Sequence, residues 1–353
     1  QSQVWETWAS DRGELAPGRR AADLAPMSAP IPGRDTLRVR VPASTSNLGP
    51  GFDQLGLALE LFLEVELGGP AEGARHEFGR LEGTASEWPE GTNLLFRAFD
   101  AGRAAVDREG PRLPYLFNVT SEIPLSRGLG SSGAAVAAGL HLARATCTPQ
   151  ADEPDRDERR RMAAIGLDLE GHPDNLTASL LGGCTLGVPL PTGDLQVVEH
   201  PLHDALVFSV AWPSATLSTE RARAALPTSL ALEDVVWNTR RLSLLLSGLR
   251  TGEPEHLRLG AEDRLHTAHR LPLIPGAARA LEAAREAGAW MSAISGSGSA
   301  LVAVQDDPDR AGAIAAAMAD KLERENEWAE SRVLRAAHRG SQLLSSTASD
   351  SRS

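Results

Sequence analysis

The stretch IPLSRGLGSSGAAVAAGL, residues 123–140, constrains this chain more than any other. An alternating segment, LPYLFNVTSEI, arrives at Pro124 and reads as a strand. Gly128, Leu129, Gly130, Ser131 and Ser132 follow, and then a run of small residues that predicts a buried helix over 131–146. The two glycines permit backbone angles that other residues avoid, and without side chains they let an anion come close. The first turn of the helix offers free N–H groups and the positive end of its dipole, which together bind phosphate. A tight strand–helix turn capped by serine would look the same, so the loop alone leaves both readings open. No lysine is present in it. Of 35 basic residues only Lys321 is a lysine, and neither a Gly-Lys-Ser/Thr phosphate loop nor a Val-Ala-Ile-Lys strand occurs. A phosphate here must be met by arginine, a metal or a helix N-terminus.

The 353 residues suffice for one large or two ordinary domains. No run of about 18 apolar residues is free of charges, so no membrane span is expected. A net charge of −12 argues against a general nucleic-acid surface. Cys147 and Cys184 make neither a disulfide framework nor a Cys-x-x-Cys pair, and a reducing cytoplasm fits them. Residues 1–36 are polar, proline-containing and without periodicity, so they are expected to be a flexible leader, or Met27 the natural start. The Ser-rich end, 341–353, is expected to be a frayed tail.

Between these ends, LRVRVPAS and LALELFLEVEL alternate as strands around a loop, STSNLGPGFDQLG. Helices are predicted at TNLLFRAFDAGRAAVD and at 155–169 and 174–182, with CTLGVPL as a closing strand. The second half reads as strand DALVFSVAWP, short helix STERARAALP, helix 232–250, helix PGAARALEAAREAGA, strand–turn–strand WMSAISGSGSALVAV, helix 308–324 and strand ESRVLRAAH. The mixture lacks strict β-α-β alternation and has no internal repeat, which favours an α+β fold.

Four further strings join the glycine loop: VPASTSNLGPGFDQLGLAL, EGHPDNLTASLLGG, LSTERARAALP and SAISGSGSALVA. Together, in this order, the five resemble the GHMP kinase superfamily, and within it the homoserine kinases, over residues 37–340. The resemblance implies a two-domain fold. A ribosomal-protein-S5-like ATP-binding domain is expected at 37–195 and a ferredoxin-like domain at 196–340, with the site between them. It implies ATP as co-substrate, Mg²⁺, direct in-line phosphorylation of L-homoserine on the route to threonine, and a homodimer with no nucleic-acid or membrane partner. The alternatives are another GHMP kinase, acting on mevalonate, a sugar or shikimate, and a non-catalytic small-molecule sensor.

The resemblance also assigns roles. Pro124, Leu125, Ser126, Arg127, Gly128, Leu129, Gly130, Ser131, Ser132 and Gly133 are expected to bind ATP, with Asn93 near the adenine. Gly133 stands where the family usually has Ala, a change that cannot obstruct a ligand. Ser131, or Ser132, and Glu170 are expected to hold the metal, with Asp168 a competitor for Glu170. Asn47, Asp53, His172, Asn175, Arg223 and Arg270 are expected at the substrate, and Asn175, Glu170, Arg223 and Thr219 in catalysis. Chemistry suits these roles: Asp partners an ammonium, Asn meets a hydroxyl, and arginine forks a carboxylate. Thr219 and Arg223 are four apart and share a helix face. Asp174 is given a supporting role, and His266 and His269 are read as non-metal.

Overall fold

Strands β1 (Leu37–Asn47) and β2 (Gly51–Pro70) form the backbone of the molecule. They pair antiparallel over nearly their whole length, so the expected loop shrinks to residues 48–50. In β2 the residues Leu57, Leu59, Leu61, Leu63, Val65 and Leu67 all point into the core, the period-2 pattern of a half-buried strand. The computed structural model describes residues 37–89, 93–106, 113–148 and 152–344. The leader expected at 1–36 and the end from 345 lie outside the described residues.

The first sheet runs β11-β1-β2-β4-β3, with β5 joining β2 and β6 joining β5. Its other strands are β3 (Glu77–Gly83), β4 (Tyr115–Ser121), β5 (Cys184–Pro189), β6 (Leu195–His200) and β11 (Gln342–Leu344). Helices α1 (Leu94–Val106), α2 (Ser131–Cys147), α3 (Arg156–Glu170) and α4 (Asp174–Leu181) pack with it. The small residues of α2 have a packing cause. A Cβ on Gly139 would lie 2.4 Å from the Leu95 carbonyl oxygen, so glycine there lets α2 press against α1.

The second sheet is antiparallel, ordered β10-β7-β9-β8, from β7 (Val207–Pro213), β8 (Met291–Ile294), β9 (Leu301–Gln305) and β10 (Ala329–Leu334). Numbered within the sheet this is 4-1-3-2, the ferredoxin-like order. Helices α9 (Ala277–Glu286) and α10 (Pro308–Glu323) cover one face through Ala280, Ala284, Ile314 and Met318. Phe208, Val210, Val302 and Val304 on the other face join the main core, with Leu245 and Leu249 of α6 (Leu232–Thr251) and Leu257 of α7 (Pro254–Gly260). Two short helices, α5 (Thr219–Ala224) and α8 (Thr267–Arg270), carry site residues.

Two expected boundaries change. Strand β6 pairs with β5, so the first sheet continues past residue 195 to His200. The tail does not fray from 341: Gln342–Leu344 pair with Arg38–Arg40 as the edge strand β11. Ser341 is fully buried, with His141 Nδ1 2.9 Å from its hydroxyl and Arg159 Nη1 donating to its carbonyl. Backbone pairing with an open sheet edge, which leaves no mark on composition, holds this segment.

Candidate active site

A cavity of about 360 Å³ lies at the junction of the two sheets. One wall is the glycine loop. Gly128 and Gly130 adopt φ of 76° and 72°, and Ser126 also enters the left-handed region. Gly130 precedes α2 with no side-chain cap, so the helix opens onto the cavity with its first amides. A Cβ on Gly128 would lie 2.2 Å from the Ser295 carbonyl oxygen, which makes glycine obligatory where the turn at 295–299 closes on the loop. The Ser295 hydroxyl donates to the Gly128 carbonyl at 2.6 Å.

Leu125, Ser126, Gly128, Gly130, Ser131 and Ser132 line the cavity, and Pro124, Leu129 and Gly133 stand behind it. A Cβ on Gly133 would touch Asn175 at 3.1 Å, so this glycine serves the seating of α4. Arg127 points away from the cavity. Its guanidinium is buried, donates to the carbonyls of Leu125, Pro213 and Ser214, and stands over the Trp328 ring. The expected ATP ligand is thus a brace between the glycine loop and β7, because three backbone oxygens take its donors.

At the opposite side of the α2 N-terminus, Ser132 donates to Glu170 Oε1 at 2.5 Å. Ser131, named first for the metal, is buried, whereas Ser132 meets the carboxylate. Burial is the main cause that pushes the Glu170 carboxyl above its ordinary range, against the Ser132 bond and His172. Asp168 is exposed and does not line the cavity. Asp174, at 2% exposure, is likewise pushed up by burial; it accepts from its neighbour's amide, Asn175 N–H, at 2.8 Å. His172 Nδ1 lies 3.6 Å from Asp174 Oδ1. Asn175 is gripped from both ends: Ser44 donates to its Oδ1 at 3.0 Å and its Nδ2 donates to Ser46 at 3.1 Å.

The third group comes from three elements. Asn47 and Asp53 both have positive φ. The Asn47 Oδ1 accepts from Asp53 N–H at 2.9 Å, and its Nδ2 donates to the Gly296 carbonyl at 2.8 Å. Its amide therefore shapes the turn and docks the 295–299 segment. Arg223 on α5 forks Asp53. Thr219, one turn earlier, faces Ser297 at 3.5 Å. Arg270, 1% exposed yet on the cavity wall, donates to the Gly296 carbonyl at 3.0 Å. Both guanidinium groups stand over the Phe52 ring, Arg223 at 5.7 Å and Arg270 at 5.1 Å from its centre.

Residues 93–183 match the GHMP kinases N-terminal domain and residues 245–324 the GHMP kinases C-terminal domain. A homoserine kinase from Synechococcus sp. is 36% identical over 311 residues, covering 88% of this chain and 99% of that protein. The chain belongs to the homoserine kinase family of GHMP kinases. A Moorella thermoacetica homoserine kinase is 39% identical over 266 residues, covering 75% of this chain and 86% of that one. The crystal structure of homoserine kinase from Cytophaga hutchinsonii superposes with a TM-score of 0.77 at 25% identity, covering 88% of this chain and 98% of the other. Membership makes the chain an ATP-dependent small-molecule kinase and confirms the two-domain α+β fold.

Within this GHMP kinase the cavity also has an apolar end, Trp88, Pro89, Leu94 and Leu217, which sequence reasoning missed. Asn93 lines this end while its Oδ1 caps the α1 amide of Leu95 at 2.9 Å. The signal was present in the Trp-Pro pair of an otherwise polar stretch just before Asn93. Ser44 and Ser46, also missed, were legible as polar residues on a strand about to be buried.

Proposed function

We propose that this chain phosphorylates the side-chain hydroxyl of L-homoserine with ATP, giving O-phospho-L-homoserine for threonine synthesis. One observation carries the substrate: two guanidiniums and one carboxylate, Arg223, Arg270 and Asp53, share the cavity wall, Arg223 and Asp53 paired and both guanidiniums against the Phe52 ring. That constellation complements a zwitterion, in which a carboxylate and an ammonium sit one carbon apart. A sugar or mevalonate would bring no ammonium to meet Asp53 when the substrate enters its pair with Arg223.

The uncapped start of α2 receives the triphosphate through its amides, and the apolar end around Trp88 suits the nucleobase. Ser132 and Glu170 are oxygen donors of the kind a hard divalent cation takes, and among the described residues no arginine or lysine pairs with the partly buried Glu170 carboxylate. Among the described residues no three His, Cys, Asp or Glu side chains form a metal cluster, which fits a cation that draws the rest of its shell from phosphate oxygens and water. Mg²⁺ bound there would neutralise charge on the transferring phosphoryl group.

Arg223 and Arg270 hold the substrate carboxylate and Asp53 its ammonium. The Asn175 amide nitrogen serves Ser46 and Asp174, and its Oδ1 keeps one acceptor site beside Ser44, enough to orient the hydroxyl toward the γ-phosphorus. His172 closes that side, and Thr219 faces the transfer path beside Ser297. A bond forms between the hydroxyl oxygen and the γ-phosphorus as the bond to the β,γ-bridging oxygen breaks and ADP leaves, and the hydroxyl proton passes to an oxygen of the transferred phosphoryl group. In a loose transition state little charge builds on the nucleophile, so no dedicated base is assigned and Asp174 supports the His172–Asn175 turn. The cytoplasm, suited to two unpaired cysteines, and a homodimer complete the proposal. ADP release with homoserine, mevalonate, galactose and shikimate as acceptors tests it: turnover should need homoserine, and a preference for any other acceptor would overturn the assignment.

A further inference from the structure

The fully buried His266 lies outside the cavity wall yet touches the residue that matters most there. Its Nε2 stands 2.9 Å from the Gly49 carbonyl oxygen and so carries the proton. Its Nδ1 is left as an acceptor, 3.4 Å from Arg270 Nη1. Arg270 Nη1 also donates to the Gly296 carbonyl, while Arg270 Nε is buried with no partner among the described residues. One edge of this guanidinium is therefore tied down, and a buried donor is unspent at the cavity wall. Behind His266, the buried Asp263 accepts the backbone amides of Leu265, His266 and Thr267 and the Asn238 side-chain amide. Its carboxylate is 3.6 Å from His266 Nε2 and fixes the start of α8.

We propose that His266, set by Asp263, is a positioning residue that aims the Arg270 guanidinium at the substrate carboxylate and does so only as the neutral imidazole. This rests on the reading of Arg270 given above. Neutral imidazole accepts from Arg270; imidazolium cannot, and it would place a second positive charge against the guanidinium. The charged groups around the ring are Asp263 on the preceding turn, Arg270 on α8 and Asp53 from β2, with Arg223 beyond. Burial, with Arg270 adding to it, holds the imidazole below its ordinary range against Asp263 and Asp53, so the neutral form prevails at pH 7. Acidification should therefore loosen the carboxylate contact and leave the nucleotide alone.

The test is steady-state kinetics from pH 5 to 8 on the wild type, His266→Asn, His266→Leu and Arg270→Ala, with homoserine and with 3-aminopropan-1-ol. Asn keeps an oxygen near the Nδ1 position and does not titrate. The wild-type KM for homoserine should rise several-fold toward pH 5, and that of His266→Asn should stay flat from a value within about three-fold of wild type at pH 7.5. His266→Leu should raise it about ten-fold at every pH, with KM for ATP unchanged and no loss with the aminoalcohol. Thermal melts accompany each variant. Should His266→Leu melt early, the His266→Asn profile alone decides, and an acid limb identical to wild type overturns the proposal. Should Arg270→Ala raise the homoserine KM while His266→Leu does not, the positioning role fails and the substrate reading stands. Should Arg270→Ala itself leave that KM unchanged, it is the substrate reading that fails.

Discussion

Arg223 and Asp53, 170 residues apart, hold each other across the cavity through two parallel hydrogen bonds of 2.9 and 2.7 Å. Each side chain remains about a third exposed, 38% and 35%, so the pair contributes little to stability. What it does is keep two opposite charges at a separation and orientation that a zwitterion can enter, each charge exchanging one partner for another.

Splitting the pair should therefore split the substrate. Arg223→Ala should lower kcat/KM for homoserine by about 10- to 150-fold, the worth of a charge-assisted hydrogen bond of roughly 1.5–3 kcal/mol, and leave KM for ATP nearly unchanged. The variant should be almost indifferent to 3-aminopropan-1-ol, which lacks the carboxylate. Asp53→Asn should show the converse, losing with homoserine and not with 4-hydroxybutanoate, which lacks the ammonium. Equal losses with both truncated acceptors would mean that the pair shapes the site without reading either charge.

Glu170→Gln should retain the fold and lose on the order of 10²-fold or more in turnover, since charge stabilisation by a metal is worth several kcal/mol. Ser132→Ala should weaken the dependence on Mg²⁺ more than Ser131→Ala does, because Ser132 is the hydroxyl in contact with the carboxylate. Mg²⁺ titrations of activity read both. A wild-type rate for Glu170→Gln at saturating Mg²⁺ would move the metal elsewhere, whereas Asp168→Asn, exposed and off the cavity, is expected to behave as wild type.

Arg127 illustrates what sequence could and could not show. The string around it was enough to locate the glycine loop, because glycine spacing and a helix start are local features. The direction of a long flexible side chain is not local: Arg127 turns to Pro213 and Ser214, which only the fold brings near. Asn47 is similar, since its amide is taken by Gly296 from the far end of the chain. Strand β11 was invisible because pairing with an open edge asks nothing of composition, and β3 because its residues are mostly exposed on both faces. Helices with small or strongly periodic residues, α2 and α9 among them, were legible to within three residues at each end. The prediction for Arg127→Ala follows from geometry. It should cost roughly 2–4 kcal/mol in a denaturant titration, by stranding buried carbonyls, with the KM for ATP changed less than the stability. A many-fold rise in that KM without loss of stability would restore the phosphate-ligand role.

The pH dependence of stability should expose the charge on Asp174. Its carboxyl is almost fully buried, and burial raises its affinity for a proton above that of the unfolded chain; Asp53 adds to this, while His172 and the Asn175 amide oppose it. A group whose native pKa is raised contributes stability that is fully present below its unfolded pKa, near pH ~4, and lost as the pH rises through the native value. At pH 8 the wild type therefore carries an ionised carboxylate in a site that disfavours it. Asp174→Asn removes that charge, and its oxygen can still accept from the Asn175 amide. The variant should melt higher than the wild type at pH 8, and the difference should shrink toward pH 4 as the wild-type carboxyl takes up its proton. Glu170 titrates in both proteins, but the Asp174 charge contributes to its raised pKa, so in the variant Glu170 should move back toward the ordinary range. Melting curves of the two proteins at matched ionic strength between pH 4 and 8 provide the comparison. A variant that melts lower than wild type by the same amount at every pH would show that the hydrogen bonds of this carboxylate outweigh the cost of burying its charge, and that Asp174 holds the His172–Asn175 turn as a fully stabilised anion.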